Sequence, residues 1–114
     1  MKWINIETRD QIDQIITESE KTPVLIFKHS RSCSISATAL NRLERNWNAQ
    51  DVTIPTYFLD LLSYRDLSNE IASHFEVRHE SPQAILVRQG KAVSNWSHFD
   101  ISYKEIKDKV MVPN

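Results

Sequence analysis

The run Pro23-Val24-Leu25-Ile26-Phe27 constrains the fold of this chain more than any other stretch. Four apolar residues in succession after a proline predict a strand, residues 24–27, buried on both faces of a mostly parallel sheet. A polar turn follows, Lys28-His29-Ser30-Arg31-Ser32, and then Cys33, the one cysteine of the chain. From Ile35 the apolar positions Ile35, Ala39, Leu40, Leu43 and Trp47 recur at helical spacing, which predicts a helix to about Asn48. Cys33 therefore stands between the end of a central strand and the start of a helix. At such a place unpaired backbone N–H groups and the positive end of the helix dipole favour an anion. A thiol there yields the reactive thiolate more readily, so Cys33 is the candidate nucleophile. The bland alternative is a buried cysteine acting as a small hydrophobe. It fits poorly with the polar neighbours Ser30, Arg31, Ser32, Ser34 and Ser36, while Arg31 and His29 offer positive potential.

The other elements follow from similar patterns. Trp3-Ile4-Asn5-Ile6 alternates like a short edge strand. Thr8 with Gln11, Ser63 with Asp66 and Ser102 with Glu105 read as capping boxes that open three further helices. Their apolar stripes are Ile12, Ile15 and Ile16; Leu67, Ile71 and Phe75; and Tyr103, Ile106 and Val110. The first of these ends near Glu20, because Thr22 precedes Pro23, and the second runs from Tyr64 to about His74. Strands are expected at 56–60 and 84–87, and Gln89-Gly90 is a two-residue turn that folds 91–96 back as a hairpin. Alternating strands and helices imply parallel pairing, and the hairpin adds an antiparallel pair. The expectation is one α/β domain over 1–114, a central mixed sheet of about five strands flanked by four helices, in a thioredoxin-like arrangement. A flavodoxin-like sheet would need a parallel last strand, which the Gln89-Gly90 turn opposes.

Composition removes several functions. A net charge of −1 gives no reason to expect a nucleic-acid or membrane surface. Gly90 is the only glycine, which excludes the glycine-rich dinucleotide fingerprint and the glycine-rich phosphate loop. The start, Met1-Lys2-Trp3-Ile4-Asn5, lacks the apolar core of a signal peptide, and no stretch approaches a membrane span. With one cysteine and no internal disulfide, a cytoplasmic monomer is expected. His29, His74, His79 and His98 lack the three- or four-residue spacing of paired helical ligands, so no metal site is expected. Trp3, Trp47 and Trp96 read as core or groove wall.

Two further places bear on Cys33. Ser36 occupies the second position of a Cys-x-x-Cys pattern; its hydroxyl cannot resolve a mixed disulfide but could donate to the thiolate. Any redox cycle then needs an external thiol. Ser81-Pro82 precedes an apolar strand, and in a thioredoxin-like fold the residue before such a proline faces the active-site thiol. Ser81 and Gln83 would then line the groove.

These two motifs carry a resemblance. Phe27-Lys28-His29-Ser30 leading into Ser32-Cys33-Ser34-Ile35-Ser36, with His79-Glu80-Ser81-Pro82-Gln83-Ala84 downstream, resembles the monothiol bacilliredoxins of the YtxJ type. The resemblance implies a thioredoxin-like fold, no tightly bound cofactor and bacillithiol as thiol co-substrate. It implies removal of bacillithiol from S-bacillithiolated client proteins, with Cys33 as nucleophile. Ser32, Ser34, Ser36, Ser81, Pro82, Gln83, Arg31 and His79 are the residues expected to face substrate, with His29 and Arg78 as further polar contacts for bacillithiol. The family pattern usually places proline directly after the cysteine, where this chain has Ser34. The alternatives are glutaredoxin-like exchange with glutathione, and a non-enzymatic module that binds an iron–sulfur cluster or a partner protein.

Overall fold

The expected central strand forms and runs further than its apolar residues. In the computed structural model, which describes residues 1–113, this strand, β2, spans Val24–His29. It takes in Lys28 and His29, which the sequence reading left in a turn. Around it stand β1 (Trp3–Asn5), α1 (Asp10–Ser19), α2 (Ser34–Asn46), β3 (Thr56–Asp60), α3 (Arg65–His74), β4 (Gln83–Arg88), β5 (Lys91–Ser97) and α4 (Tyr103–Val110). A short 3-10 turn, His98–Asp100, links β5 to α4.

The sheet order is β1-β3-β2-β4-β5. β3 pairs parallel with both β1 and β2, whereas β4 runs antiparallel to β2 and β5 antiparallel to β4. Consecutive side chains of a strand point to opposite faces, so β2 feeds two cores. Val24 and Ile26 join Ile12, Ile15, Ile71, Phe75, Ile85 and Val87 beneath α1 and α3. Leu25 and Phe27 join Ala39, Leu43, Leu86, Trp96 and Ile106 beneath α2 and α4. These four apolar residues of β2 are all fully buried, which is why this part of the strand reads as an unbroken apolar run. Trp3 and Trp47 pack on the second core alongside Trp96. Gln89 and Gly90 take φ of 49° and 76°, the positive values that a tight two-residue hairpin turn requires.

The capping expectations divide. Ser102 Oγ accepts the Glu105 N–H at 3.3 Å, so α4 opens as expected. At α1 only the return half of the box forms: Gln11 Oε1 accepts the Thr8 N–H at 3.0 Å, and the helix begins at Asp10 without a side-chain cap. At α3 the expectation fails. Ser63 Oγ donates instead to Asp60 Oδ2 at 3.1 Å, and Tyr64 precedes the helix uncapped. Asp66 is one methylene shorter than the Glu or Gln of a true box, and the Ser63 oxygen accepts from Arg31 Nη1 at 3.2 Å instead of from a backbone N–H of α3. α2 stops at Asn46 rather than Asn48, whose Oδ1 accepts the Gln50 N–H at 2.9 Å in the following loop.

The three similar sequence patterns should therefore behave differently on mutation. Ser102→Ala is expected to lower the unfolding free energy by about 1 kcal/mol. Ser63→Ala should cost clearly less. Urea titrations of both variants that gave equal losses would contradict this assignment.

Candidate functional site

One end of the sheet gathers the chemistry. β2 and β3 finish there and β4 begins there, with His29 paired to Asp60 and Lys28 to Gln83. Cys33 leaves this end of β2 through a short turn, and the Ser81–Pro82 peptide, which is cis, enters it just before β4. The 3-10 turn completes the rim, because the His98 N–H donates to the Pro82 carbonyl at 3.0 Å. Topology thus places the cysteine and the Ser81–Pro82 edge together.

Cys33 is the residue preceding α2, with extended backbone (φ −112°, ψ 119°). Its N–H donates to the Ser30 carbonyl at 3.1 Å, and its own carbonyl accepts the Ala37 N–H at 3.2 Å as the first helical bond. It is half-buried and belongs to neither hydrophobic core. No side chain caps α2, and its first turn holds no acidic residue. The amides of that turn are thus left to interact with whatever stands at Cys33. Ser32 and Ser34 flank the thiol and are exposed, and Ser32 Oγ lies 3.3 Å from Ser30 Oγ.

Ser36 does not serve the thiol. It is fully buried, and its Oγ accepts the Ser30 N–H at 3.1 Å and meets His29 Nδ1 at 2.7 Å. The donation to a Cys33 thiolate expected from sequence is replaced by these two bonds. His29 packs its ring on Phe27 and Phe58. Burial holds its pKa below the ordinary value, against the pull of Asp60 and Glu44, so it is neutral at pH 7.

The cations expected near Cys33 are also committed elsewhere. Arg31 Nη1 forms an ion pair with Asp60 at 2.8 Å and donates to Ser63 Oγ at 3.2 Å. Arg78 is exposed and stands 3.7 Å from Glu80. His79 is held below its ordinary pKa by burial and by the neighbouring Lys28, with Glu80 opposing. Gln83 is a further correction. It is fully buried rather than groove-lining, and its Nε2 donates to the Arg78 carbonyl at 2.9 Å. Ser81 keeps its place beside Pro82, and its Oγ is buried with no hydrogen-bond partner among the described residues. Among the described residues no group of three or more His, Cys, Asp or Glu is placed to hold a metal ion, and no helix is long and apolar enough to cross a membrane.

Sequence reasoning missed Lys28. Its side chain is completely buried, and Nζ donates to the Ser68 carbonyl of α3 at 3.0 Å. Burial pushes its pKa down from 10.5 to about 8. The signal was available: Lys28 shares strand parity with Val24 and Ile26, whose face is core.

Two outcomes follow. Ser36→Ala leaves the buried Ser30 N–H and the His29 ring without their partner and should cost about 1–3 kcal/mol of stability. A neutral Ser36→Ala in thermal unfolding would show that this bond network carries no weight. For Lys28, the unfolded chain holds the amine proton more tightly than the folded one. The burial cost is therefore complete below about pH 8 and fades as the pH rises toward 10.5. Relative to Lys28→Met, the wild-type protein should gain up to about 3 kcal/mol across that window. A pH-independent difference between the two unfolding free energies would refute this.

Comparisons with known proteins agree with this geometry. Over residues 4–106 the chain matches the family described as monothiol bacilliredoxin BrxC. A solved structure described as a candidate oxidoreductase with a thioredoxin fold is 34% identical, with a TM-score of 0.79 over 92% of this chain and 90% of its own. Thioredoxin from Schistosoma mansoni superposes with a TM-score of 0.71 at 11% identity, covering 96% of this chain and 93% of that one. Fasciola hepatica thioredoxin gives 0.66 at 15% identity, over 93% and 94%. The last two speak for the fold alone. With a family match spanning nearly its whole length and a thioredoxin fold, this chain belongs to the monothiol bacilliredoxin family and is a thiol redox enzyme.

Proposed function

We propose that the chain removes bacillithiol from S-bacillithiolated proteins by monothiol exchange at Cys33. The observation that carries this reading is a single half-buried sulfur at the uncapped start of α2, at the same end of the sheet as the cis Ser81–Pro82 peptide, in a member of this family. The Cys33 thiolate attacks the bacillithiol sulfur of the mixed disulfide. The client–bacillithiol S–S bond breaks, the client cysteine departs as thiolate and takes up a proton, and a Cys33–bacillithiol disulfide forms. Ser36 offers no sulfur for the second step. A second bacillithiol, or another thiol reductant, attacks this new disulfide and restores Cys33. Exposed Ser32 and Ser34 and part-exposed Ser81 border the path of the incoming disulfide, while Pro82, expected there from sequence, is buried and reaches it only through its backbone. Arg31 serves indirectly, by fixing the turn before Cys33 to Asp60 and Ser63. The protein acts as a cytoplasmic monomer with bacillithiol as its co-substrate.

The test is intact-mass spectrometry after mixing the reduced protein with a bacillithiolated client, with Cys33→Ala alongside. The expected result is free client thiol and one bacillithiol added to Cys33, with neither change in Cys33→Ala. A client that stays blocked, or a Cys33→Ala variant that still releases it, sinks the mechanism. Equal or faster transfer from a glutathionylated client would reassign the small thiol to glutathione.

A further inference from the structure

Lys28 is an anomaly within a functional neighbourhood. Lysine is almost never fully buried unless it is paired with an acid, and this one is 0% exposed. Among the described residues its ammonium meets no carboxylate. Nζ reaches the Ser68 carbonyl at 3.0 Å and stands 3.4 Å from His79 Nδ1, which is itself 3.4 Å from Ser68 Oγ. A methionine would fill the same space without taking a charge out of water. What the ammonium adds is direction: it joins β2, α3 and the segment 77–82 at one point.

That segment carries the Ser81–Pro82 edge and belongs to no helix or strand. It is fastened at intervals. The Val77 N–H donates to the Ala72 carbonyl, the Gln83 side chain holds the Arg78 carbonyl, and the His98 N–H holds the Pro82 carbonyl. Between these ties lie His79, Glu80 and Ser81, and Lys28 grips the first of them from inside the molecule. When the ammonium donates to Nδ1, the neutral imidazole carries its proton on Nε2 and its ring orientation is set.

We propose that Lys28 is a positioning residue for the exchange reaction, its ammonium fixing His79 on α3 and thereby holding the Ser81–Pro82 edge in register with Cys33. The proposal rests on the bacilliredoxin reading for its consequence in catalysis, while the coupling of Lys28 to the loop stands on the geometry alone. The charged and titratable groups around this point are Arg78, His79 and Glu80 from the loop, Arg65 from α3 and His98 from the 3-10 turn, with the two carboxylate oxygens of Glu80 standing 3.7 Å from Arg78 and from His98; Gln83 from β4 is uncharged. Lys28 is the group here that titrates near pH 8.

Lys28→Met, with the wild-type protein beside it, tests this at three levels. The apparent KM for a bacillithiolated client should rise about fivefold, the equivalent of one hydrogen bond of about 1 kcal/mol. Alkylation of Cys33 by iodoacetamide, which needs no docked loop, should keep its rate. In NMR spectra of the reduced proteins, the amide signals of His79, Glu80 and Ser81 should shift with a midpoint near pH 8 in wild type and lose that transition in Lys28→Met. If Lys28→Met fails to fold, His79→Phe, which removes the other end of the tether, must reproduce the KM rise and the lost transition. An unchanged KM, an alkylation rate that falls in step with client turnover, or loop amides indifferent to Lys28 each overturn the proposal. Should wild-type protein fail to exchange with any client while the NMR transition behaves as expected, the bacillithiol reading falls and the tether stands.

Discussion

The complete burial of β2 on both faces is the constraint on which the remainder of the molecule depends. A strand enclosed this way must alternate its side chains between two cores, and Val24 to Phe27 does so without a polar interruption. Both helix layers are anchored to it, α1 and α3 through one face, α2 and α4 through the other. The same alternation continues after the apolar residues end. Lys28 is carried to the α3 side and His29 to the α2 side, so each side of the sheet receives one titratable group directly before the cysteine turn. The cysteine is thus presented by a rigid strand, on a turn whose two flanks are already tied to the helices.

This wiring changes how the reactivity of Cys33 is to be understood. From sequence, Arg31 and His29 are natural sources of positive potential. In the fold, Arg31 is neutralised by Asp60, and His29 is neutral because burial disfavours its charge. Lys28 spends its ammonium on a carbonyl and an imidazole of the opposite face. The polar groups left beside the sulfur are the backbone amides at the uncapped start of α2, where Ser34 supplies an N–H that a proline would lack. Amide dipoles act over a single turn and are screened less than an exposed arginine, so the site depends on local backbone geometry more than on surface charge.

Much of this was legible in the residues. The order of elements, the double burial of the central strand, the Gln89-Gly90 hairpin, the Ser102 cap and the position of Cys33 all follow from local pattern. What escaped is instructive because its signal was present and was cut off too early. Lys28 extends the parity of Val24 and Ile26, and Gln83 extends that of Ile85 and Val87, so both are core positions occupied by polar residues. Ser36 sits three and seven residues before Ala39 and Leu43, on the buried stripe of α2, whereas a stripe begun at Ile35 hides this. Hydrophobic pattern stops at the first polar side chain, but the backbone period does not. Which partner a polar group finds, as with Ser63 and Asp60, depends on neighbours brought from other elements and is not written locally.

These buried polar residues also explain why one sulfur suffices structurally. The position after two intervening residues from the cysteine is not an unused surface site: the Ser36 hydroxyl closes the turn by holding the Ser30 amide and the His29 ring. A thiol in that place would be a weaker hydrogen-bond partner for both groups and would lie buried, away from an incoming disulfide. The turn before α2 is therefore built around the Ser36 oxygen. Exposed Ser32 and Ser34 leave the rim beside Cys33 open, while the Ser81–Pro82 edge is fastened from within, through Lys28 on His79, and from the rim, through the His98 N–H on the Pro82 carbonyl.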